Sequence, residues 1–325
     1  MMYKLKVSLV ALLFAFGICA AQDNKKKCSI AFYNVENLFD TEDDPYTADE
    51  EFTPKGAYRY TEKVYTQKLH NIATVINKLD AVVVGLAEIE NSTVLKDLIA
   101  QPELKKHNYK FAWHDSPDPR GIDVALLYNS EYFKLLQYKA YAVRMKGLRT
   151  RDVLHVSGVL QGDTVHILVN HWPSRGEGLQ ESIPKRMAAA QVNKKIVDSL
   201  LRKNSRSKII IMGDMNDNPT DDNITKVLGA GTAKTNALYN PWAAIYRSGK
   251  GTSVFHKKWD HFDQVIISSA WLKNSGWHFE SAEIFDEDFV RNTKYADAYP
   301  FRSFNGKNWN NGYSDHLPVI LHLSK

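Results

Sequence analysis

The sequence is poor in cysteine and in long apolar runs. Only Cys19 and Cys28 are cysteines among its 325 residues. If Cys19 is removed with a leader, the remaining thiol cannot form an internal disulfide, so the fold must be stabilised by its core. A hydrophobic content of 44% and a mature chain of about 300 residues are sufficient for such a core.

The first 21 residues have the pattern of a secretory signal peptide. Two lysines precede an apolar run at 7–18, and small residues follow at 19–21. The apolar run is too short to span a bilayer comfortably. We therefore predict a signal peptide at 1–21, one mature domain at 22–325, and export to the periplasm or the extracellular space. A lipoprotein acylated at Cys19 is the alternative, which the bulky residue before that cysteine disfavours.

Several signatures of other enzyme classes are also absent. The chain has no His-Glu-x-x-His zinc motif, no cysteine cluster with ligand spacing, no phosphate-cradling Gly-x-x-x-x-Gly-Lys loop, no nucleophile elbow and no dinucleotide fingerprint. The net charge of +5 falls to +3 when Lys4 and Lys6 leave with the leader. This mild basicity permits a polyanionic substrate, although dedicated nucleic-acid binders usually show a stronger bias.

What is present is an alternation of short β-rich runs with helical patterns. Apolar spacings of three and four residues predict a helix over 69–79 and a longer one that begins near Pro184. The predicted strands are 29–33, 81–87, 123–128, 153–160, 165–170, 208–212, 262–267 and 317–322. Strands that alternate with helices indicate an α/β protein. The stretches 40–60 and 286–312 lack periodicity and are predicted to be loops, of which the second is rich in aromatic residues.

Polar residues recur beside the apolar strands. Those that follow a strand are Asn34, Glu88, His171, Asp214 and Asn216, while Asp263 lies within one and Asp315 and His316 precede the last. Each alone has a structural explanation, such as a turn, a helix cap or a hydrogen-bonded core histidine. Together they indicate a common site, because carboxylates gathered at one sheet edge repel one another unless a cation or proton neutralises them.

The candidate ligand atoms are mostly hard oxygens. Glu88, Asp214, Asn216 and Asp315 favour Mg²⁺, with Mn²⁺ or Ca²⁺ as alternatives. Zinc is a weaker alternative that rests on the eleven histidines.

In their order along the chain, these motifs resemble the endonuclease/exonuclease/phosphatase family, the superfamily of deoxyribonuclease I. The motifs are Phe32-Tyr33-Asn34-Val35-Glu36-Asn37, Gly85-Leu86-Ala87-Glu88, Arg120-Gly121-Ile122-Asp123-Val124-Ala125-Leu126-Leu127, Asn170-His171-Trp172, Gly213-Asp214-Met215-Asn216, Phe262-Asp263-Gln264-Val265 and Ser314-Asp315-His316-Leu317-Pro318. The resemblance implies a four-layer α/β sandwich of two mixed sheets flanked by helices. It also implies hydrolysis of a phosphoester by in-line attack of activated water.

The resemblance also implies a role for each matched residue. Glu88 would be the principal Mg²⁺ ligand, supported by Asn34 and Asp315. Asp214 would position or deprotonate the attacking water, and Asn216 would hold the phosphate or a metal. His316 would contact the phosphoryl oxygen with Asp263 orienting its ring, and His171 would act on the leaving or a non-bridging oxygen. Independently of the resemblance, an anionic phosphodiester requires nearby positive charge and a carboxylate base.

Two further residues and the substrate are left open by the sequence. Arg175 is a candidate phosphate clamp or an ordinary surface arginine, and Asp123 is a candidate partner for His171. The preferred substrate is nucleic acid, partly because Arg144, Lys146, Arg149 and Arg151 form a basic cluster. An inositol phosphate or phospholipid headgroup is the alternative substrate, and a non-catalytic binding module is a remote alternative function.

Overall fold

The computed structural model describes residues 26–294 and 298–325, so the predicted leader at 1–21 lies outside the described residues. The α-helices are α1 (Glu62–Leu79), α2 (Ser92–Ile99), α3 (Leu179–Lys203) and α4 (Trp242–Arg247). The strands are β1 (Lys27–Leu38), β2 (Val83–Ile89), β3 (Tyr109–Trp113), β4 (Asp123–Asn129), β5 (Phe133–Tyr141), β6 (Val153–Leu160), β7 (Asp163–His171), β8 (Lys208–Asp214), β9 (Ala230–Gly231), β10 (Leu238–Tyr239), β11 (Ser253–Phe255), β12 (Lys258–Asp260), β13 (Asp263–Ser268), β14 (His278–Ile284), β15 (Phe304–Asn305), β16 (Asn308–Trp309) and β17 (Val319–Ser324). Short 3₁₀ turns lie at Glu50–Phe52, Pro102–His107, Ser269–Leu272 and Asp288–Val290, and a π-helical turn lies at Asn223–Leu228.

Two large sheets stack face to face between helices. The first has the strand order β14-β17-β1-β2-β4-β3 and the second β5-β6-β7-β8-β13-β10-β9. One apolar cluster lies between the sheets, a second joins α1 and α2 to the first sheet, and a third joins α3 to the second. The predicted four-layer α/β sandwich is therefore confirmed. In the described ranges, no helix has the length and apolar character needed to cross a membrane.

Helix α1 shows how the sequence pattern produces one of these layers. It begins after Thr61, whose side chain accepts a hydrogen bond from the backbone N–H of Val64, and it ends at Asp80 in the left-handed conformation. Its buried residues include Leu69, Ile72 and Val75. The spacing of three and four residues turns this stripe onto the sheet, as predicted.

Helix α3 begins earlier than predicted. Its first residue is Leu179, so Pro184 lies inside the helix instead of at its start. A proline in a helix removes one N–H group, and here the carbonyl left without that donor belongs to Gln180. Because Gln180 is exposed, its carbonyl group is accessible to solvent, which explains why the helix tolerates the proline.

The strand predictions missed the sheet edges and misplaced two polar residues. Strands β3, β5 and β14 lack a continuous apolar run because an edge strand exposes much of its surface. Asn34 was predicted to follow a strand but lies inside β1, which continues to Leu38 through a register shift. Glu88 likewise lies inside β2, at a second irregularity where its φ angle is +66°.

The burial of His261 predicts how the stability of the fold depends on pH. Burial lowers its pKa to about 4, despite the opposing charge of Asp263, and its ring lies 5.2 Å from that of Trp242. Between pH 6.5 and 4 the unfolded chain binds a proton that the folded chain excludes, so stability falls as the pH is lowered through this window. The loss should approach about 3 kcal/mol at pH 4.

Urea denaturation at pH 7 and pH 4.5 tests this prediction. The His261→Phe variant should lose less stability on acidification than the wild-type protein, whereas a variant of exposed His256 should behave like the wild type. Equal acid losses in His261→Phe and the wild type would show that the ring does not contribute.

Candidate active site

Three predicted residues form a row across neighbouring strand ends of the second sheet. His171 ends β7, Asp214 ends β8 and Asp263 begins β13. In the strand register, Asp214 lies opposite both His171 and Asp263. The alternation of parallel and antiparallel pairing therefore brings together residues that are far apart in sequence.

The glycine before Asp214 is required by close packing. A Cβ atom at Gly213 would collide with the backbone oxygen of Asn170 on neighbouring β7. Any side chain at this position would separate the two strand ends that carry His171 and Asp214. The Gly-Asp pair is thus a structural requirement of the site as well as a motif.

The first sheet contributes Asn34 and Glu88. The side-chain amide of Asn34 donates hydrogen bonds to Asp214 Oδ2 at 3.1 Å and to Glu88 Oε1 at 3.4 Å. The second oxygen of Glu88 accepts from the backbone N–H of Asn37 at 2.8 Å. Asn34 therefore connects carboxylates from opposite sheets, and the site lies where the two sheets meet.

The Ser-Asp-His segment closes the site from the chain before β17. The Ser314 hydroxyl donates to the backbone oxygen of Asn34 at 2.7 Å, and it accepts from the backbone N–H of His316 at 3.0 Å. The His316 ring then lies with Nδ1 2.7 Å from Asp263 Oδ2 and Nε2 3.9 Å from Asp214 Oδ2. Ser314 thus fixes the backbone of His316, while the carboxylates orient its ring.

The two histidines of the site are held in opposite charge states. Burial by itself would lower the pKa of His316, but Asp263 and Asp214 outweigh it and raise the pKa well above 6.5. Burial, with help from Arg151, lowers the pKa of His171 well below 6.5. At neutral pH His316 is therefore a charged donor, and His171 is a neutral ring 3.6 Å from Asp214 and 3.9 Å from Glu88.

Asp214 is the most strongly constrained carboxylate of the group. Burial raises its pKa to about 6, Asp263 adds to the effect and His316 opposes it. Its Oδ1 accepts from the backbone N–H of Asn216 at 2.9 Å, and Asn34 donates to the other oxygen. A carboxylate held in this way, and titrating just below neutral pH, is suited to accept a proton.

Asn216 and Asp315 lie at the borders of this group. The Asn216 side chain donates to the backbone oxygen of Trp172 at 2.9 Å, so its position is fixed by the loop after β7. Asp315 is about one-third exposed and pairs with Arg302 at 2.8 Å. Of the predicted metal ligands, Glu88 and Asn34 therefore contact each other directly, whereas Asp315 lies nearer the surface.

Arg175 is placed as a brace between loops. Its guanidinium donates to the backbone oxygen of Asn216 at 2.7 Å and to Asp221 at 2.8 Å, and it stacks over Phe262 at 4.5 Å. Because these donors are engaged within the protein, Arg175 supports the loops in this structure and does not offer a free guanidinium to a phosphate.

The expected pairing of Asp123 with His171 is not found in the described part of the chain. Asp123 instead accepts hydrogen bonds from the backbone and side chain of Ser116, and burial raises its pKa to about 8. The predicted pairing was wrong because the Asp123 carboxylate is engaged by Ser116, whereas the carboxylates near His171 are those of Asp214 and Glu88.

Buried Lys68, which sequence reasoning did not single out, supports the site from below. Its ammonium donates to the backbone oxygen of Val35 at 3.1 Å and to the Ser303 hydroxyl at 2.6 Å. Burial lowers its pKa to about 8, and the nearby charge of Glu36 opposes this shift. The sequence feature that could have identified it is the position of a lysine on the buried stripe of α1, next to Leu69.

A family match over nearly the whole described region shows to which family the chain belongs. The Endonuclease/Exonuclease/phosphatase family matches residues 29–325. The chain belongs to this family. The resemblance predicted from the motifs is confirmed, and membership makes the chain a phosphoester hydrolase. No sequence among curated proteins matches it significantly.

Solved structures of other family proteins share the fold at low sequence identity. A D. rerio TDP2 complexed with single strand DNA product has a TM-score of 0.54 and 14% identity, covering 92% of this chain and 99% of that one. A Bacteroides thetaiotaomicron mannosyl-6-phosphatase has a TM-score of 0.57 and 16% identity, covering 91% and 99%. ANGEL2, a 2′,3′-cyclic phosphatase, has a TM-score of 0.60 and 15% identity, covering 93% and 96%. At these identities the likeness concerns the fold.

Proposed function

We propose that this family member is an exported, Mg²⁺-dependent phosphodiesterase that cleaves nucleic acid. The observation that carries the proposal is the joined cluster of Asp214, His316, Asp263, Asn34 and Glu88. It combines a poised carboxylate with a charged histidine, the two groups that water-driven cleavage of an anionic diester requires. Export rests on the leader pattern of the sequence.

The residues present fit a divalent cation. Glu88, Asp214 and Asp263 bring three negative charges, while His316 brings one positive charge and His171 is neutral. This excess of buried negative charge, together with oxygen donors from Glu88 and Asn34, favours Mg²⁺ or Mn²⁺, with Asp315 as a further ligand at the border. A bound cation would offset the negative charge that develops on the phosphoryl group.

The protein's own side chains account for the remaining chemistry. Asp214 accepts the proton of the attacking water through the oxygen that faces His316. His316 donates from Nε2 to a phosphoryl oxygen, and Asp263 keeps the ring oriented from Nδ1. His171 presents Nε2 to the same space, where it can contact a leaving or non-bridging oxygen, and Asn216 holds the phosphate from the adjacent loop.

Nucleic acid is the proposed substrate because the sequence is mildly basic and exposes Arg144, Lys146 and Arg149, whereas Arg151 of the same cluster is buried and paired with Asp118. A structural relative is described in complex with a single-stranded DNA product, which is consistent with the proposal. Plasmid and single-stranded DNA should be cleaved at low salt in the presence of Mg²⁺, Mn²⁺ or Ca²⁺. Intact DNA under all three metals would contradict the proposal.

A small phosphate ester is the second candidate substrate. A cavity of about 870 Å³ adjoins His316, and Phe255, Phe262 and Tyr299 contribute aromatic walls to it. A cavity of this size and character accommodates a single ring better than a duplex. Release of inorganic phosphate from inositol or sugar phosphates, without cleavage of DNA, would favour this candidate.

Metal binding can be measured independently of any substrate. Replacing Glu88 by glutamine removes a charged ligand but keeps the shape, so Mn²⁺ affinity should fall by more than the roughly 10- to 100-fold that an outer-shell change costs. Titration calorimetry of wild type, Glu88→Gln and the exposed control Glu280→Gln measures the effect. Equal Mn²⁺ affinity in wild type and Glu88→Gln would place the cation elsewhere.

A further inference from the structure

A second cleft lies on the outer face of the second sheet, away from the candidate active site. It has a volume of about 920 Å³ and runs between α3, the edge strand β5 and its neighbour β6. Its helical wall extends from Ala188 to Asn204. At 1.5 Å per residue this wall is about 24 Å long.

The cleft is lined by cations without acidic partners. Lys139, Arg144, Lys195 and Lys203 lie along it, and no aspartate or glutamate lines it among the described residues. None of the four forms an ion pair within the described ranges. By contrast, Lys194 on the same helix pairs with Asp198 at 2.6 Å. The protein thus neutralises a neighbouring lysine and leaves Lys139, Lys195 and Lys203 available for an external anion, while Arg144 lies near Asp152 at the end of the cleft.

The floor of the cleft is flat, partly aromatic and uncharged. His155 Nε2 and His166 Nδ1 lie 3.1 Å apart, and burial lowers the pKa of both rings, that of His155 to about 4. The half-buried ring of Tyr141 lies near His155, and Lys139 sits 5.0 Å above it. Tyr141 thus holds Lys139 in the cleft through a cation–π contact, with the lysine charge available to a phosphate.

A chain of contacts, exposed at Arg144 and Arg149 and buried at Arg151, links this cleft to the candidate active site. Arg144 lines both the cleft and a smaller cavity of about 440 Å³, which Lys146 and Pro117 also line and where Asp152 is the only described acid. Arg149 donates to the backbone oxygen of Pro117 at 3.2 Å. The next residue, Asp118, pairs with Arg151, which in turn donates to the backbone oxygen of His171.

We infer that the cleft between α3 and β5 binds the single-stranded nucleic acid whose distal part is cleaved at the Asp214–His316 site. The inference rests on the proposed nuclease function for that site. A wall of about 24 Å is long enough for several nucleotides, within the roughly 4 to 16 that single-strand binding sites cover. The cations would contact phosphates of the strand.

Binding without cleavage tests the cleft alone. The mature protein is mixed, in a chelator, with a fluorescent oligothymidylate of about 12 nucleotides, and anisotropy is followed at several salt concentrations. Replacing Lys195 and Lys203 by glutamine should weaken binding about 10-fold at low salt. The slope of log K against log salt should decrease by about 1.4, since each lost contact to a single strand removes about 0.7.

The matched control changes the same charge on another helix. Lys63 and Lys78 are exposed on α1, against the opposite sheet, and their replacement by glutamine should leave binding within about twofold. In the presence of Mg²⁺, neither double variant should alter hydrolysis of bis(p-nitrophenyl) phosphate, which is too small to reach the cleft. Only the cleft variant should raise KM for the oligonucleotide.

The outcomes separate the cleft from the proposed function. Wild-type affinity in the Lys195/Lys203 variant would overturn the cleft proposal, whether or not DNA is cut. Cleft-dependent binding with no DNA cleavage under any metal would retain the cleft as a strand-binding site and reject the nuclease function. Equal cleft-dependent binding of a heparin fragment would overturn the assignment to nucleic acid.

Discussion

Replacing Asp214 by asparagine should lower kcat by about two to four orders of magnitude, the range that general acid–base groups contribute. The carboxylate is held by the backbone N–H of Asn216 and the side-chain amide of Asn34, and the amide variant keeps its shape and the first of these bonds. It cannot accept a proton. Because burial raises the pKa of Asp214 to about 6, the wild-type group is ionised at neutral pH and basic enough to act.

Steady-state kinetics at saturating Mg²⁺ measures this effect. The conservative control is Asp222→Asn, which changes an exposed carboxylate paired with Lys226 and should retain wild-type kcat. Thermal melts of both variants show whether the fold is kept. A folded Asp214→Asn protein with near-wild-type kcat would remove Asp214 from the mechanism.

Replacing His316 by glutamine should lower kcat by about two to three orders of magnitude, the usual cost of losing a donor to a developing oxyanion. Its ring is the only charged histidine found in the described site, and Asp263 holds that ring through a 2.7 Å contact. Asp263→Asn should therefore reduce kcat too, because the ring loses both its orientation and the charge that raises its pKa.

The two residues should act as one unit. The double variant His316→Gln, Asp263→Asn should be close to the worse single variant, because the main contact of Asp263 is with the His316 ring. Additive losses in kcat would mean that Asp263 has a separate role. The Ser314→Ala variant removes the hydroxyl that holds the backbone of His316 but leaves the charges of the site unchanged. It should therefore give a smaller loss in kcat.

Much of the site was predictable because buried strands end abruptly in polar residues. His171 and Asp214 terminate β7 and β8 as the apolar runs predicted. Glu88 and Asn34 were recognised as candidates although each lies within a strand, at an irregularity that the hydrophobic pattern does not encode. The order of the motifs was sufficient to predict the family, and the family was sufficient to predict the layered fold.

The partners of individual side chains were not predictable in the same way. A sequence shows that Asp123 and His171 are polar, but it does not show that Ser116 engages Asp123 or that Asp214 and Glu88 lie near His171. Arg175 is engaged by Asp221 and Asn216, which lie about 40 residues further along the chain. Such contacts depend on long-range packing, which local periodicity does not report.

The most direct test is the rate of oligonucleotide cleavage as a function of Mg²⁺ concentration, measured on the metal-depleted mature protein and its Asp214→Asn variant. We expect no cleavage without metal and saturable recovery of the rate in the wild type. The plateau rate of the variant should be about two to four orders of magnitude lower. Cleavage that persists in chelator, or equal plateaus for the two proteins, would contradict the claim that this cluster is a metal-dependent phosphodiesterase site.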